Sequence, residues 1–163
     1  MRISTLLGTA AAVLATAALG GAATAPAVRS DWYQRLRKPG FQPPREVFPV
    51  VWPALYADIA VVSASTIDRL RANGDDDARR SYQGALAVNL TLNAGWSWLF
   101  FNLRRFGAAT ALSAVLTASS ADLARRAVRV QGVRGTPLAL YPLWCAFATV
   151  LSGNIAVLNR GRG

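Results

Sequence analysis

Aromatic residues and asparagines recur at helical spacing in three apolar stretches of the chain. Trp52 and Tyr56 lie four residues apart in the first stretch, and Asn93 precedes Trp96 by three residues in the second. Residues three or four apart share one face of a helix. The matching face of the third stretch is formed by Trp144, Ala148 and Leu151. Apolar pockets with a few polar groups commonly hold large ligands, so these faces predict a ligand-binding site.

The same residues also have a simpler interpretation. Trp and Tyr serve as anchors at membrane interfaces and as ordinary packing residues in helix bundles. Asn89 and Asn93 are harder to explain in this way, because buried carboxamides one turn apart need hydrogen-bond partners. Asp58 is a carboxylate well inside an apolar run, where an ionisable group is costly. Either it has a function or it faces a helix contact or the nearby loop.

The composition favours a membrane protein. Of the 163 residues, 53% are hydrophobic and 16% are charged, whereas soluble domains are about 25% charged. Lys and Arg exceed Asp and Glu by 18 to 8, but the basic residues fall almost entirely in short gaps between apolar runs, where they meet lipid headgroups. No recognised nucleic-acid-binding motif accompanies this charge, so we expect no nucleic-acid partner.

The chain contains no histidine and one cysteine, Cys145. It therefore cannot form an intramolecular disulfide, a zinc site of the usual spacing or a histidine-ligated haem. Catalysis by imidazole is excluded as well. We expect no metal site, and the three aspartates at residues 75–77 are interpreted as the cap of a helix.

Five apolar runs predict an all-α fold, an integral membrane bundle of five transmembrane helices in a single domain, residues 1–163. Each run is long enough to cross a hydrocarbon core of ~30 Å. The first run ends in a tripeptide that imitates a signal-peptidase site, which leaves a cleaved leader as the alternative to a retained helix. The predicted helices span about residues 4–27, 47–67, 82–103, 106–130 and 137–158.

The basic residues divide equally between the two sides of such a bundle, which leaves its orientation and the identity of the membrane open.

The connection at residues 28–46 is proline-rich and basic. Pro39, Pro43 and Pro44 cannot lie inside a helix, so the connection must be stiff and extended or turned. Long loops of unusual composition often carry function. Its basic side chains are Arg29, Arg35, Arg37, Lys38 and Arg45.

Three separated motifs resemble the TspO/MBR family, the tryptophan-rich sensory proteins related to the mitochondrial translocator protein. They are WYQRLRKPGFQPP with the following FPVVWPALY, then NLTLNAGWSWLFFNLRR, and finally LYPLWCAFATVLSGNI. The resemblance implies a five-helix membrane bundle, often dimeric, that binds porphyrins and haem-related tetrapyrroles. In animal members it also implies cholesterol and synthetic ligands.

By this resemblance, the proline-rich connection forms a lid over a pocket between the helices. Two positions depart from the family pattern: Phe41, where tryptophan is common, and Ser152, where asparagine is common. The cholesterol-type motif near the C-terminus of animal members is absent, which argues against sterol binding. The ligand-binding residues that the resemblance implies are Tyr33, Trp52, Tyr56, Asn93, Trp96, Trp144, Ala148 and Leu151.

The leading hypothesis is a membrane-embedded binding protein for tetrapyrroles that acts as a receptor, sensor or carrier. It needs no obligatory cofactor, and porphyrin or haem is its ligand. The aromatic faces would stack on the ring, Asn93 would offer hydrogen bonds and the basic lid would attract propionates. Iron ligation would fall to Tyr33, Tyr56 or Cys145 or would not occur, so we expect binding through the ring face.

Two alternatives stay open. One is a light- and oxygen-dependent porphyrin-degrading enzyme, with Trp52 and Trp144 as the candidate catalytic residues. The other is a membrane protein that binds lipid or sterol. The expected partners are a tetrapyrrole or another large apolar ligand, membrane lipid and a second copy of the chain in a homodimer.

Overall fold

The computed structural model describes residues 1–160, and these contain helices and no strand. Long helices follow one another in alternating directions, joined by short connections. This confirms the predicted all-α membrane bundle of five spans. The helices are α1 (Ile3–Val28), the short α2 (Asp31–Arg35), α3 (Phe48–Ala72), α4 (Asp76–Ser97), α5 (Phe106–Gln131) and α6 (Leu140–Leu158). The 3₁₀ segments are Arg45–Val47 and Gly132–Ala139.

Three helical stretches are long and apolar enough to cross a bilayer: Ile3–Val28, Arg45–Ala72 and Phe106–Leu158, the last of which holds both α5 and α6. The remaining span, α4, is more polar because it carries Asn89 and Asn93 among its apolar residues. Both asparagines are buried, with exposed fractions of 0% and 3%. The two carboxamides within the apolar part of α4 therefore face the interior of the bundle.

The helix α1 packs as a full member of the bundle. The hydroxyl of Thr9 donates a hydrogen bond of 2.9 Å to the carbonyl of Ala60 in α3. Near the other end of α1, the carbonyl of Leu19 accepts a hydrogen bond of 3.1 Å from the indole of Trp98. These contacts tie α1 to α3 and to the turn that follows α4.

The third span differs from its predicted bounds at both ends. It begins at Asp76 rather than at residue 82, because the side chain of Asp75 caps the helix by accepting the N–H of Ala78 at 3.0 Å. Asp76 and Asp77 form ion pairs with arginines three residues further on. After Ser97 the chain continues as a π-helical turn, Trp98–Asn102, which no periodicity in the sequence indicates.

The fifth span begins in a 3₁₀ segment, whereas the sequence predicted an α-helix from residue 137. Gly132 ends α5 with a φ of 60°, a conformation that favours glycine. A Cβ atom on Gly135 would lie 2.6 Å from the carbonyl carbon of Ala127. The 3₁₀ segment therefore lies directly on the backbone of α5, and α6 starts only at Leu140.

The end of the bundle opposite the α1–α3 connection is held by hydrogen bonds between helices. The amide nitrogen of Gln131 donates to the carbonyl of Val62 at 3.1 Å and to the hydroxyl of Thr66 at 2.5 Å. Its amide oxygen accepts a hydrogen bond of 2.7 Å from Ser65. This side chain thus joins the end of α5 to α3 and uses both its donor and its acceptor.

Candidate ligand-binding site

Three of the predicted residues form one aromatic group between α3 and α6. The ring centroids of Trp52 and Tyr56 are 5.5 Å apart, and those of Trp52 and Trp144 are 6.5 Å apart with the rings nearly perpendicular. All three side chains are half-buried. We call Trp52, Tyr56 and Trp144 the inner aromatic group. Its rings offer both faces and edges to a flat apolar molecule.

Asn93 fixes the inner aromatic group from α4. Its amide oxygen accepts a hydrogen bond of 2.9 Å from the phenol of Tyr56, and its amide nitrogen donates one of 2.9 Å to the phenol of Tyr141. Tyr141 is fully buried and was not singled out by the sequence. Tyr141 lies three residues before Trp144 on α6, and this spacing could have indicated that the two side chains share one helix face. Asn93 thus acts on the site through two tyrosines.

We define the lid as residues 29–47, the segment between α1 and α3. Tyr33 and Trp96 lie in a second aromatic group on the lid side of the bundle. The ring of Tyr33 lies 5.9 Å from Phe101, and Phe101 in turn lies 5.9 Å from Trp96. Trp96 also stacks on Phe100, with ring centroids 5.5 Å apart. The π-helical turn after α4 supplies Phe100 and Phe101 to this group. We call these four residues the lid-side aromatic group.

Two phenylalanines that the sequence did not single out connect the two groups. Phe48 and Phe147 each contact Trp144, at centroid distances of 5.9 and 5.4 Å. Both also pack against the buried cluster that contains Phe100 and Leu151. Leu151 therefore belongs to the lid-side end of α6, and Ala148 lies half-buried between it and Trp144.

The lid is attached to the end of α6 by Asn159. The backbone N–H of Arg37 donates to the Asn159 amide oxygen at 3.1 Å, and the Asn159 amide nitrogen donates to the Arg37 carbonyl at 2.9 Å. The departure at Ser152 was noted from the sequence, but Asn159 was not singled out. The amide of Asn154 is exposed and bonds only within its own helix.

The lid places a cation over an aromatic ring. The amino group of Lys38 lies 4.1 Å from the centroid of the Tyr33 ring. Partial burial lowers the pKa of Lys38 from its ordinary value, and burial raises the pKa of Tyr33. Both shifts have the same physical cause, since each group is partly shielded from water and burial disfavours its charged form.

Comparison with known proteins assigns the chain to a family. The family profile described as the TspO/MBR family matches residues 9–158. The chain belongs to the TspO/MBR family. The match begins within α1, reaches all five spans and confirms the resemblance of the three motifs. As a member of this family with three long apolar helical stretches, the chain is an integral, multi-pass membrane protein.

Relatives of this TspO/MBR protein occur in bacteria and animals. The tryptophan-rich sensory protein of Cereibacter sphaeroides is 30% identical over 148 residues, which cover 90% of this chain and 89% of the relative. The translocator protein of Sus scrofa is 33% identical, over 80% of this chain and 76% of the relative. Protein CrtK of Rhodobacter capsulatus is 27% identical, over 80% and 79%.

Two polar atoms near the lid of this TspO/MBR protein are buried without a hydrogen-bond partner among residues 1–160. They are the indole nitrogen of Trp96, a donor, and the side-chain oxygen of Gln42, an acceptor. Buried polar atoms normally have partners. A ligand that carries both acceptor and donor groups would satisfy them.

Two of the residues considered for iron ligation are already engaged. The phenol of Tyr56 donates to Asn93. Cys145 is 1% exposed, and its sulfur lies 3.7 Å from the hydroxyl of Ser120. The site therefore offers a ring-binding surface more readily than an iron ligand.

Proposed function

We propose that this membrane protein binds a tetrapyrrole against the inner aromatic group, beneath the lid. The observation that carries the proposal is the cluster of Trp52, Tyr56 and Trp144, oriented through Asn93 and Tyr141. Rings fixed in this way lose little conformational entropy when a flat ligand stacks on them. The same binding step serves a receptor, a sensor or a carrier.

The charge of the lid supports a ligand with carboxylates. Arg35 and Arg45 pair with the neighbouring acidic residues Asp31 and Glu46 on the exposed surface. Lys38, like Arg29 and Arg37, forms no ion pair among residues 1–160, and of these three lid cations it is the one that lies over the Tyr33 ring. Lys38 is therefore the lid cation best placed to meet a propionate.

The unpartnered atoms support the same ligand class. A propionate oxygen would accept a hydrogen bond from the indole nitrogen of Trp96, and a protonated pyrrole or carboxyl group would donate to Gln42. Because Tyr56 and Cys145 are engaged elsewhere, the ring would bind by its face and edge, with or without a central metal.

The test is the affinity of the purified chain for protoporphyrin IX, followed by the shift of the porphyrin absorbance band. We expect Trp144→Ala and Trp52→Ala to weaken binding about tenfold each, since an aromatic contact contributes roughly 1.4 kcal/mol. Asn93→Leu should weaken it less, because Asn93 acts through the tyrosines. Trp98→Ala is the matched control, because that indole faces α1 and lies outside both aromatic groups.

Unchanged affinity in both Trp52→Ala and Trp144→Ala, or no binding by the wild type, would overturn the proposal.

A second candidate is light- and oxygen-dependent degradation of the bound porphyrin. The contact between Trp52 and Trp144 favours it, because the site then holds two oxidisable indoles side by side. Illumination of the porphyrin complex in air should give a discrete product, and Trp52→Phe should abolish the product while the porphyrin still binds. A product formed equally by Trp52→Phe would argue against a role for this residue.

A further inference from the structure

A groove of about 490 Å³ runs between α3 and α6 on the outer surface of the bundle. Its walls include Val50, Ala54, Leu140 and Leu143. Val50 and Leu143 are 70% and 67% exposed, which in a membrane protein means that they face hydrocarbon. The groove is therefore open to lipid and lies outside the lid.

Asp58 lies in the lining of this groove, and its carboxylate has no evident structural role. One of its side-chain oxygens is buried and has no hydrogen-bond partner among residues 1–160. No ion pair within this part of the chain includes Asp58, although seven other carboxylate–cation contacts occur there. A carboxylate at membrane depth is costly, and it normally has a partner.

Besides Asp58, the groove has one aromatic side chain in its lining, that of Trp144. Trp144 lines the groove and also contacts Trp52, with the two rings nearly perpendicular. A carboxylate and an indole set among aliphatic side chains form the combination that attracts an ammonium group carrying an alkyl body. The carboxylate provides a charged hydrogen bond, and the indole provides a cation–π contact.

We propose that the groove between α3 and α6 binds a lipid-soluble amine in its protonated form. The ammonium group donates to Asp58 and lies against Trp144, and the alkyl chain follows the aliphatic walls toward Val50 and Leu143. The charge of the carboxylate distinguishes this occupant from a neutral lipid chain. Asp58 takes no part in the contacts of the inner aromatic group, so this binding site and the proposed tetrapyrrole site have Trp144 in common but differ in their charged group.

The experiment compares two probes that differ only in the head group. Radiolabelled n-dodecylamine and n-dodecanol are titrated into the full chain in nanodiscs of phosphatidylcholine, which has no net charge, at pH 7. We expect the wild type to prefer the amine by about tenfold, the lower range for a charged hydrogen bond. Asp58→Asn keeps the side-chain volume and should remove the preference while binding of the alcohol stays the same.

Two further variants make the result specific. Ala54→Trp fills the groove and should weaken the binding of both probes. Asp77→Asn removes a carboxylate whose side chain is 94% exposed and should leave the amine preference intact. Trp144 is not varied here, because it also belongs to the inner aromatic group.

Equal binding of amine and alcohol by the wild type would overturn the proposal, as would an amine preference that survives Asp58→Asn. If the wild type shows no amine preference and Asp58→Asn changes from dimer to monomer, the proposal is also overturned, since the groove is then a contact between two copies. Protoporphyrin affinity, measured on the same Asp58→Asn sample, should equal that of the wild type. The protoporphyrin measurement therefore tests the tetrapyrrole proposal independently of the amine proposal.

Discussion

The two ends of the bundle are held together by different interactions. At the end away from the lid, Gln131 satisfies its donor and acceptor with residues of α3, and Ser63 pairs with Tyr82 of α4 at 3.1 Å. Toward the lid, α3 meets α6 through the rings of Phe48, Trp52 and Trp144. The unpartnered atoms of Trp96 and Gln42 also lie on this side.

This difference separates stability from adaptability within one helix bundle. Hydrogen bonds are directional, so the far end has few arrangements of comparable energy. Ring contacts tolerate sliding and tilting, so the contact between α3 and α6 near the lid can adjust more freely than a hydrogen-bonded contact. We infer that the far end holds the helices in register while the lid end changes.

The largest expected effect is on stability at the far end. Gln131→Ala removes three hydrogen bonds between α5 and α3 and should lower the free energy of unfolding by about 2 kcal/mol. Unfolding by SDS, followed by circular dichroism, measures it. Protoporphyrin affinity of the folded variant should be unchanged, and a loss of affinity without a loss of stability would contradict the division between the two ends. Asn154→Ala is the control, because its amide bonds only to Val150 of its own helix.

At the boundary between the two ends, Tyr56→Phe keeps the ring and removes one hydrogen bond to Asn93. The buried amide oxygen of Asn93 then lacks a partner, which should cost about 1 kcal/mol of unfolding free energy. Tyr141→Phe should cost a similar amount through the Asn93 amide nitrogen. If the double variant costs no more than either single change, the two tyrosines and Asn93 act as one unit.

At the lid, Asn159→Ala removes both hydrogen bonds to the backbone of Arg37. We expect the lid to open more often, so that trypsin cleaves after Arg37 several times faster, with a change in unfolding free energy below about 1 kcal/mol. Gel electrophoresis of timed digests provides the rate. A cleavage rate equal to that of Asn154→Ala would show that Asn159 does not hold the lid.

The smallest expected effect is the pH dependence of stability that arises from Tyr33. Burial raises the pKa of Tyr33 above its ordinary value of 10.0, so the folded protein loses stability as the pH rises above that value. Subtracting the ultraviolet titration of Tyr33→Phe from that of the wild type isolates this phenol. Ionisation at or below pH 10.0 would mean that the lid leaves Tyr33 open to water.

The sequence predicted the five spans because apolar runs of membrane length are separated by basic and turn-forming residues. Four-residue spacing placed Trp52 and Tyr56 on one face of a helix, and the family resemblance implied that Trp144 faces the same pocket. The sequence did not indicate the π-helical turn at Trp98–Asn102 or the 3₁₀ segment at Gly132–Ala139. Both depend on how neighbouring helices approach each other, which local periodicity does not encode.

The division of the predicted site into two aromatic groups has the same cause. Tyr33 and Trp96 belong beside Phe100 and Phe101 because the π-helical turn directs those rings toward the lid. Asn159 was missed because its partner is the backbone of Arg37, and a backbone group has no residue-type signal. The family resemblance supplied the residue types of the site, and the contacts between helices supplied its arrangement.

Gly135 gives the far end of the bundle a role in the geometry of the aromatic site. Because a Cβ there would collide with the backbone at Ala127, the missing side chain sets the distance between α5 and the start of the fifth span. A larger residue would move that segment outward, and Trp144, nine positions along the same continuous helical stretch, would move with it. The spacing of the Trp52–Trp144 contact thus depends on a glycine that touches neither indole, so a substitution at Gly135 is expected to alter the affinity for the proposed tetrapyrrole.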